Sequence, residues 1–277
     1  MRTLPHFFTK LFAEPLMLHA PARAGFEAYL LGQMSTDASR PPVRMEGEEK
    51  AWRMKRVLEK RGRLAIVRIY GAIDKQLSTL EMECFGGCDL ADVDRALAAA
   101  EADKSVDTVM LEFNSPGGSV TGVAETAARV ANLRKTKEVH AFTETMCCSA
   151  ATYIASQADH VVVTPSSTNG SIGVYMATLD ESRALELAGI TVNLMKAGKF
   201  KAMGASFKPL EDEERKMMQA SVDRIHADFK AAVTSLRRVK PESMEGQWFD
   251  GREALACGLV DEITNMSADE YALAIAS

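Results

Sequence analysis

No stretch of this 277-residue chain approaches the roughly 18 consecutive apolar residues that a membrane span needs. Near the start, Lys10 and Glu14 break the apolar run around Phe7, Phe8, Leu11 and Phe12 too early for a signal-peptide core. A soluble, cytoplasmic chain without a membrane anchor is the expectation. An excess of positive charge is also lacking: 33 Lys and Arg stand against 38 Asp and Glu, a net charge of -5. Aromatics make up only 6%, and no basic run is interleaved with them, so nucleic acid is not an expected partner. Cysteine is scarce. Cys84, Cys88, Cys147, Cys148 and Cys257 form neither a CxxC pair nor an even framework, which points to a reduced compartment and small buried thiols. No metal or cofactor is expected.

Histidine is sparse as well. None of His6, His19, His140, His160 and His226 sits in an obvious catalytic context. His160 opens a strand-like run and His226 lies mid-helix, so both read as packing or surface positions. A G-x-G-x-x-G fingerprint is missing, which argues against a dinucleotide site. A G-x-S-x-G elbow is missing too, which argues against an α/β-hydrolase.

What is present is an ordinary globular composition, 47% hydrophobic and 26% charged. Residues 1–62 read as an N-terminal arm and charged linker. The arm holds Glu14-Pro15-Leu16-Met17-Leu18 and a helical-looking stretch through Phe26, Tyr29 and Leu30. Residues 35–62 read as a solvated helix or linker. The domain proper is expected over 63–277. Its strand-like runs are Leu64–Tyr70, Val106–Phe113, Val139–Thr143, Val161–Thr164 and Ile190–Met195. They alternate with helical periodicity at Asp89–Ala102, Val120–Leu133, from Ser149 onward, and Asp180–Ala188. A long helix is expected over Glu211–Leu236, opened by acidic residues that suit a helix N-terminus. The fold class is α/β, with repeated ββα or βα units, an N-terminal arm and a long C-terminal helix.

Three places carry chemistry. Asn114-Ser115-Pro116-Gly117-Gly118 follows a buried-type strand and is expected to turn into a helix. Its glycines allow close approach of a substrate, and backbone N–H groups there can hold an oxyanion. An ordinary strand-to-helix turn would read the same way. Ser149 lies in Cys147-Cys148-Ser149-Ala150-Ala151, where a strand gives way to a helix of small side chains. Its hydroxyl could merely cap that helix. The small neighbours would also admit a substrate backbone, with the Ala150 N–H aimed at an oxyanion. Lys201, in Gly198-Lys199-Phe200-Lys201, has no acid between Gly198 and Ser206. As a base it must be neutral, and bringing its pKa from near 10.4 to about 7 costs roughly 5 kcal/mol, which burial has to supply. Cys148 could line the same site, and Lys199 shares a face with Lys201 if that segment is extended.

At these residues the chain resembles the S49 family of serine peptidases, which includes signal peptide peptidases and phage prohead proteases within the Clp/crotonase superfamily. The resemblance spans residues 64–266. It rests on the Asn114–Gly118 and Cys148–Ala151 motifs, Gly170-Ser171-Ile172-Gly173-Val174, Gly198–Lys201, Phe249–Ala254 and Gly258-Leu259-Val260-Asp261. It implies a Clp/crotonase-type fold, Ser149 as nucleophile and Lys201 as general base. It also implies Ser171 as the residue orienting the lysine, and Gly118 and Ala150 as oxyanion donors. Family members form homo-oligomers, sometimes with serine and lysine from neighbouring subunits. The opening Leu4-Pro5-His6 and Glu14–Leu18 resemble lambda-type capsid proteases, which implies scaffold or head proteins as substrates and the host cytoplasm or prohead as location. A soluble signal-peptide or quality-control peptidase and a catalytically silent assembly factor are the alternatives. A crotonase-like acyl-CoA enzyme is disfavoured because no acid adjoins the glycine turns.

Overall fold

A computed structural model describes residues 14–19 and 46–276. The helix expected through Phe26, Tyr29 and Leu30 lies outside the described residues. After β1 (Leu16–Leu18), the described chain resumes with α1 (Glu46–Val57), β2 (Leu58–Arg61) and β3 (Leu64–Tyr70). A short β4 (Ile73–Asp74), α2 (Thr79–Phe85), β5 (Cys88–Asp89) and α3 (Leu90–Ala102) complete the first unit. The second is β6 (Thr108–Asn114), β7 (Gly117–Ser119) and α4 (Val123–Leu133). The third is β8 (Glu138–Thr143), β9 (Met146–Cys148) and α5 (Ala150–Ala155). A fourth opens with β10 (His160–Val163) and β11 (Thr168–Gly170), then runs out through α6 (Ser182–Leu187) and α7 (Asp212–Thr234). The chain returns with β12 (Trp248–Phe249), α8 (Gly251–Ala256), β13 (Glu262–Ile263) and α9 (Ala268–Ile275). This is the expected α/β class with repeated ββα units and a long helix toward the C-terminus.

The first strand of each unit enters one sheet, in the order β13-β10-β8-β6-β3-β2. All its neighbours are parallel except the edge strand β2, which pairs antiparallel with β3. Because side chains alternate along a strand, these apolar runs feed two faces. Ala65, Val67, Ile69, Val109, Leu111 and Phe113 join the large core with α3, α4 and α5. Leu64, Ile66, Met110, Phe142 and Val162 point the other way and are covered by α9. There Tyr271 stacks on Phe142 with ring centroids 4.8 Å apart.

The second strand of each unit leaves this sheet and builds the site. Two small sheets result, β1-β7-β4-β5 and β12-β11-β9. They are stitched together at Ser115, whose N–H donates to Met146 O (2.9 Å) and whose C=O accepts from the Cys148 N–H (3.1 Å). The long α7 buries Phe229 and Val233. Phe229 packs on Tyr153 of α5 at 4.9 Å, which fixes α7 behind the helix that starts at Ser149.

Three local expectations change. The glycine motif does not turn straight into a helix: Gly117–Ser119 is a strand, and α4 begins only at Val123. Residues 190–195 form no strand, because they have no strand partner among the described residues. Ile190, Val192, Leu194 and Met195 are exposed there, Met195 at 87%. The charged stretch before residue 62 is not merely solvated, since α1 and β2 pack on the domain. Arg53 of α1 reaches the buried carboxylates of Asp89 and Asp92, with 2.8 Å to the latter. Asp89 also caps α3 through the Ala91 N–H (2.9 Å). Removing the guanidinium takes a charged partner from two buried carboxylates, leaving Asp92 with Arg95 and Asp89 with the Gln76 and Ala91 N–H groups, a loss on the order of 3 kcal/mol. Arg53→Ala is therefore expected to lower the urea midpoint strongly with the m-value unchanged, and an unchanged midpoint would show that α1 is not held by this pair.

Candidate active site

Parallel pairing of β9 with β11 sets Cys148 opposite Gly170. The next residues in each chain are Ser149 and Ser171, so the register itself brings the two serines side by side. Both depart from ordinary backbone geometry, with φ of 58° and 54°. Such values are uncommon for residues bearing a Cβ and cluster at functional sites. The Ser149 N–H donates to Gly170 O at 2.7 Å, and the Ser171 N–H to Gln247 O at 2.6 Å. These two bonds hold the strained residues in place.

Ser149 precedes the first turn of α5, but its side chain makes no capping hydrogen bond. The capping explanation of this serine is thus set aside. Its Oγ is buried, the residue being 1% exposed, and it has no hydrogen-bond partner among the described residues. A buried hydroxyl without a partner is costly, on the order of 1–3 kcal/mol, and a catalytic role is one of the reasons such a group is retained. Neighbouring Cys148 offers no competing nucleophile. Burial pushes its thiol up to about 12, and Sγ donates to Thr168 O at 3.5 Å. Cys88, Cys147 and Cys257 are likewise free, buried thiols.

The glycine strand lies directly against the start of α5. A Cβ on Gly117, where φ is +90°, would sit 2.9 Å from Ala150 N and 2.9 Å from Cys148 O. One on Gly118 would meet Ile73 O at 1.9 Å. Only glycine fits either position. Gly118, Ala150, Ser149 and Ser171 are therefore gathered at one junction of β7, β9, β11 and α5.

Lysine is not gathered with them. Lys201 lies in a run of turns after Gly198, is exposed, and its ammonium has no hydrogen bond or ion pair among the described residues. The segment docks on the start of α7 instead. Lys199 pairs with Glu213, and Lys208 binds Glu214 at 2.7 Å. Lys199 thus faces a carboxylate at the surface. His226 bridges Ile172 O (3.2 Å) and Met244 O (2.9 Å), the packing role read for it.

Two contributors went unrecognised in the sequence. The Thr152 hydroxyl donates toward Cys147 O (2.7 Å) and Gly170 O (2.9 Å), tying the first turn of α5 to both strands. The Asn169 amide donates to Ser167 Oγ at 2.9 Å and stiffens the approach to Gly170. Both are short polar residues beside a strand end, a signal too common to single out.

Comparison with known proteins gives this geometry a family. The model of Peptidase family S49 matches residues 131–274. The chain is 29% identical to capsid assembly protease C of Escherichia phage lambda, over 96% of this chain and 64% of that protein. It is 31% identical to head-tail preconnector protein GP5 of Enterobacteria phage P21, over 96% of this chain and 56% of that one. The chain thus spans about six tenths of the length of these curated relatives. Among solved structures, ClpP1 of Listeria monocytogenes aligns with a TM-score of 0.46 at 18% identity, covering 74% of this chain and 93% of that one. Among the described residues no helix is long and apolar enough to cross a membrane. The matched span holds Ser149, Ser171 and Lys201, and on it the chain belongs to Peptidase family S49.

Proposed function

We propose that the chain is a serine endopeptidase that cuts scaffold or head proteins during phage prohead maturation in the host cytoplasm. The observation that carries this reading is the buried, unpartnered Ser149 hydroxyl between the Gly117–Gly118 strand and the start of α5. The two phage relatives, named for capsid assembly and head–tail connection, support the substrate class.

In this reading Lys201, neutral, takes the Ser149 proton while Oγ attacks the peptide carbonyl. The oxyanion accepts from the Gly118 and Ala150 N–H groups, interactions that strengthen as charge develops. The lysine, now an ammonium, gives its proton to the leaving amine as the C–N bond breaks. Water then attacks the acyl-serine, its proton passing to the same lysine, and Ser149 is restored. Ser171, beside Ser149, would accept from or donate to the lysine amine and hold it in line.

A lysine open to solvent lacks the desolvation that this role requires. It needs a buried setting, and a second copy of the chain is the natural source. The segment leading to Lys201 exposes Leu179, Leu187, Ile190, Val192, Leu194 and Met195, an apolar stretch suited to burial between copies. We therefore assign the base of each site to the neighbouring copy in a homo-oligomer. Assembly then both desolvates Lys201 and delivers it.

Ser149→Ala is expected to lower casein cleavage by at least about 10⁴-fold while leaving the melting temperature near that of the native chain. Full activity in that variant would remove Ser149 from the mechanism. Lys201→Ala should be equally inert. Mixed and reassembled, the two dead variants are expected to recover up to about a quarter of native activity, since random assembly across a head-to-tail interface pairs an intact serine with an intact lysine at one site in four. A mixture that stays dead would place both residues in one chain.

A further inference from the structure

The edge of β7 that a substrate strand would need is already taken by the chain itself. β1 runs antiparallel along it, with Leu16 opposite Ser119, Met17 opposite Gly118 and Leu18 opposite Gly117. On its other side Leu16 exchanges both backbone bonds with Tyr175, at 2.9 and 3.1 Å. Successive residues of a strand turn their N–H and C=O groups to opposite sides. With those of Leu16 directed at Tyr175, those of Met17 are directed at β7. The His19 N–H, two residues on and in the same phase, donates to Pro116 O at 2.7 Å. The Met17 carbonyl therefore faces Gly118. It also lies 2.2 Å from the point where a Gly117 Cβ would stand, a point itself 2.9 Å from Ala150 N.

The Met17 carbonyl thus stands at the edge of β7 nearest the start of α5. The segment is also thoroughly seated: Leu16, Met17 and Leu18 are 0%, 2% and 2% exposed. The Met17 side chain joins the large core. His19 follows, packed edge-on against Trp248 at 4.9 Å, and Trp248 lies opposite Gly170 on β12. In the sequence Pro15 and Pro21 bracket the segment, and proline cannot extend a ladder that needs its N–H.

Building on the reading of Gly118 and Ala150 as oxyanion donors, we infer that residues 16–18 occupy the substrate strand's place, with Met17 in the position of the residue whose carbonyl is attacked. No other peptide can enter until this segment is released or cut. The groove between β7 and Tyr175 accordingly selects extended peptides with an apolar, unbranched residue at the reacting carbonyl.

The test compares full-length native chain with Met17→Pro, which removes the N–H directed at β7, and His19→Ala, which removes the anchor on Trp248. A fluorophosphonate probe reports access to Ser149, with the labelled residue mapped by mass spectrometry and folding checked by thermal melting. Release of the segment is expected to speed Ser149 labelling and casein cleavage at least about tenfold in Met17→Pro, and in the same direction in His19→Ala. Should Met17→Pro fail to fold, His19→Ala decides. Cleavage of the native chain between Met17 and Leu18 would equally support the inference. Equal labelling of Ser149 in native chain and folded variants, with that bond intact, would overturn it while leaving the nucleophile assignment standing. Absence of labelling at Ser149 in every protein would overturn that assignment, and the inference with it.

Discussion

Everything at this site depends on how closely backbones approach one another at Gly117 and Gly118. Any side chain there would collide with Met17 O, Ile73 O or the first residues of α5. Because neither glycine has one, β1, β4, β7 and the N–H of Ala150 share a space that would otherwise hold a single Cβ. Backbone from two different ββα units is thereby brought to one point. The parallel sheet behind them, with its full-length β3–β6 register, is the rigid frame that holds this approach to a fixed distance.

Burial and strain follow from that crowding. Ser149 is held at positive φ by its N–H bond to Gly170, and Ser171 by its bond to Gln247. The distortion turns the serine side chain away from the capping position it would otherwise take. Thr152 supplies a compensating bond from the same turn to Gly170 O. Among the described residues no side chain pairs with the Ser149 hydroxyl. In the proposed mechanism the buried serine and the exposed lysine are the two halves of one site, which the proposed association of copies, through the apolar stretch beside the lysine, would bring together.

Much of this was legible in the sequence. The β-branched and apolar runs at Leu64–Tyr70 and Val139–Thr143 form strands because both faces of the sheet are covered, so continuous hydrophobicity marks them. Asp89 and the Glu211–Glu214 cluster mark helix starts where they were read. Ile190–Met195 has the same apolar character yet forms no strand, since a strand also needs a neighbour with free N–H and C=O groups. Local pattern carries no information about that neighbour. For the same reason the placement of Leu16–Leu18 was hidden: three apolar residues between prolines do not declare which distant edge they complete. The family resemblance grouped Ser149, Ser171, Gly118 and Ala150. That β9 and β11 pair in the register making the two serines adjacent is a tertiary fact.

The most direct test of the account is to quench turnover of an activated peptide ester with acid and map the trapped acyl group by mass spectrometry. The account predicts a single acyl adduct on the peptide containing Ser149, carried by the hydroxyl oxygen. An adduct on Cys148 or another residue, or steady turnover with no covalent intermediate at all, would contradict it.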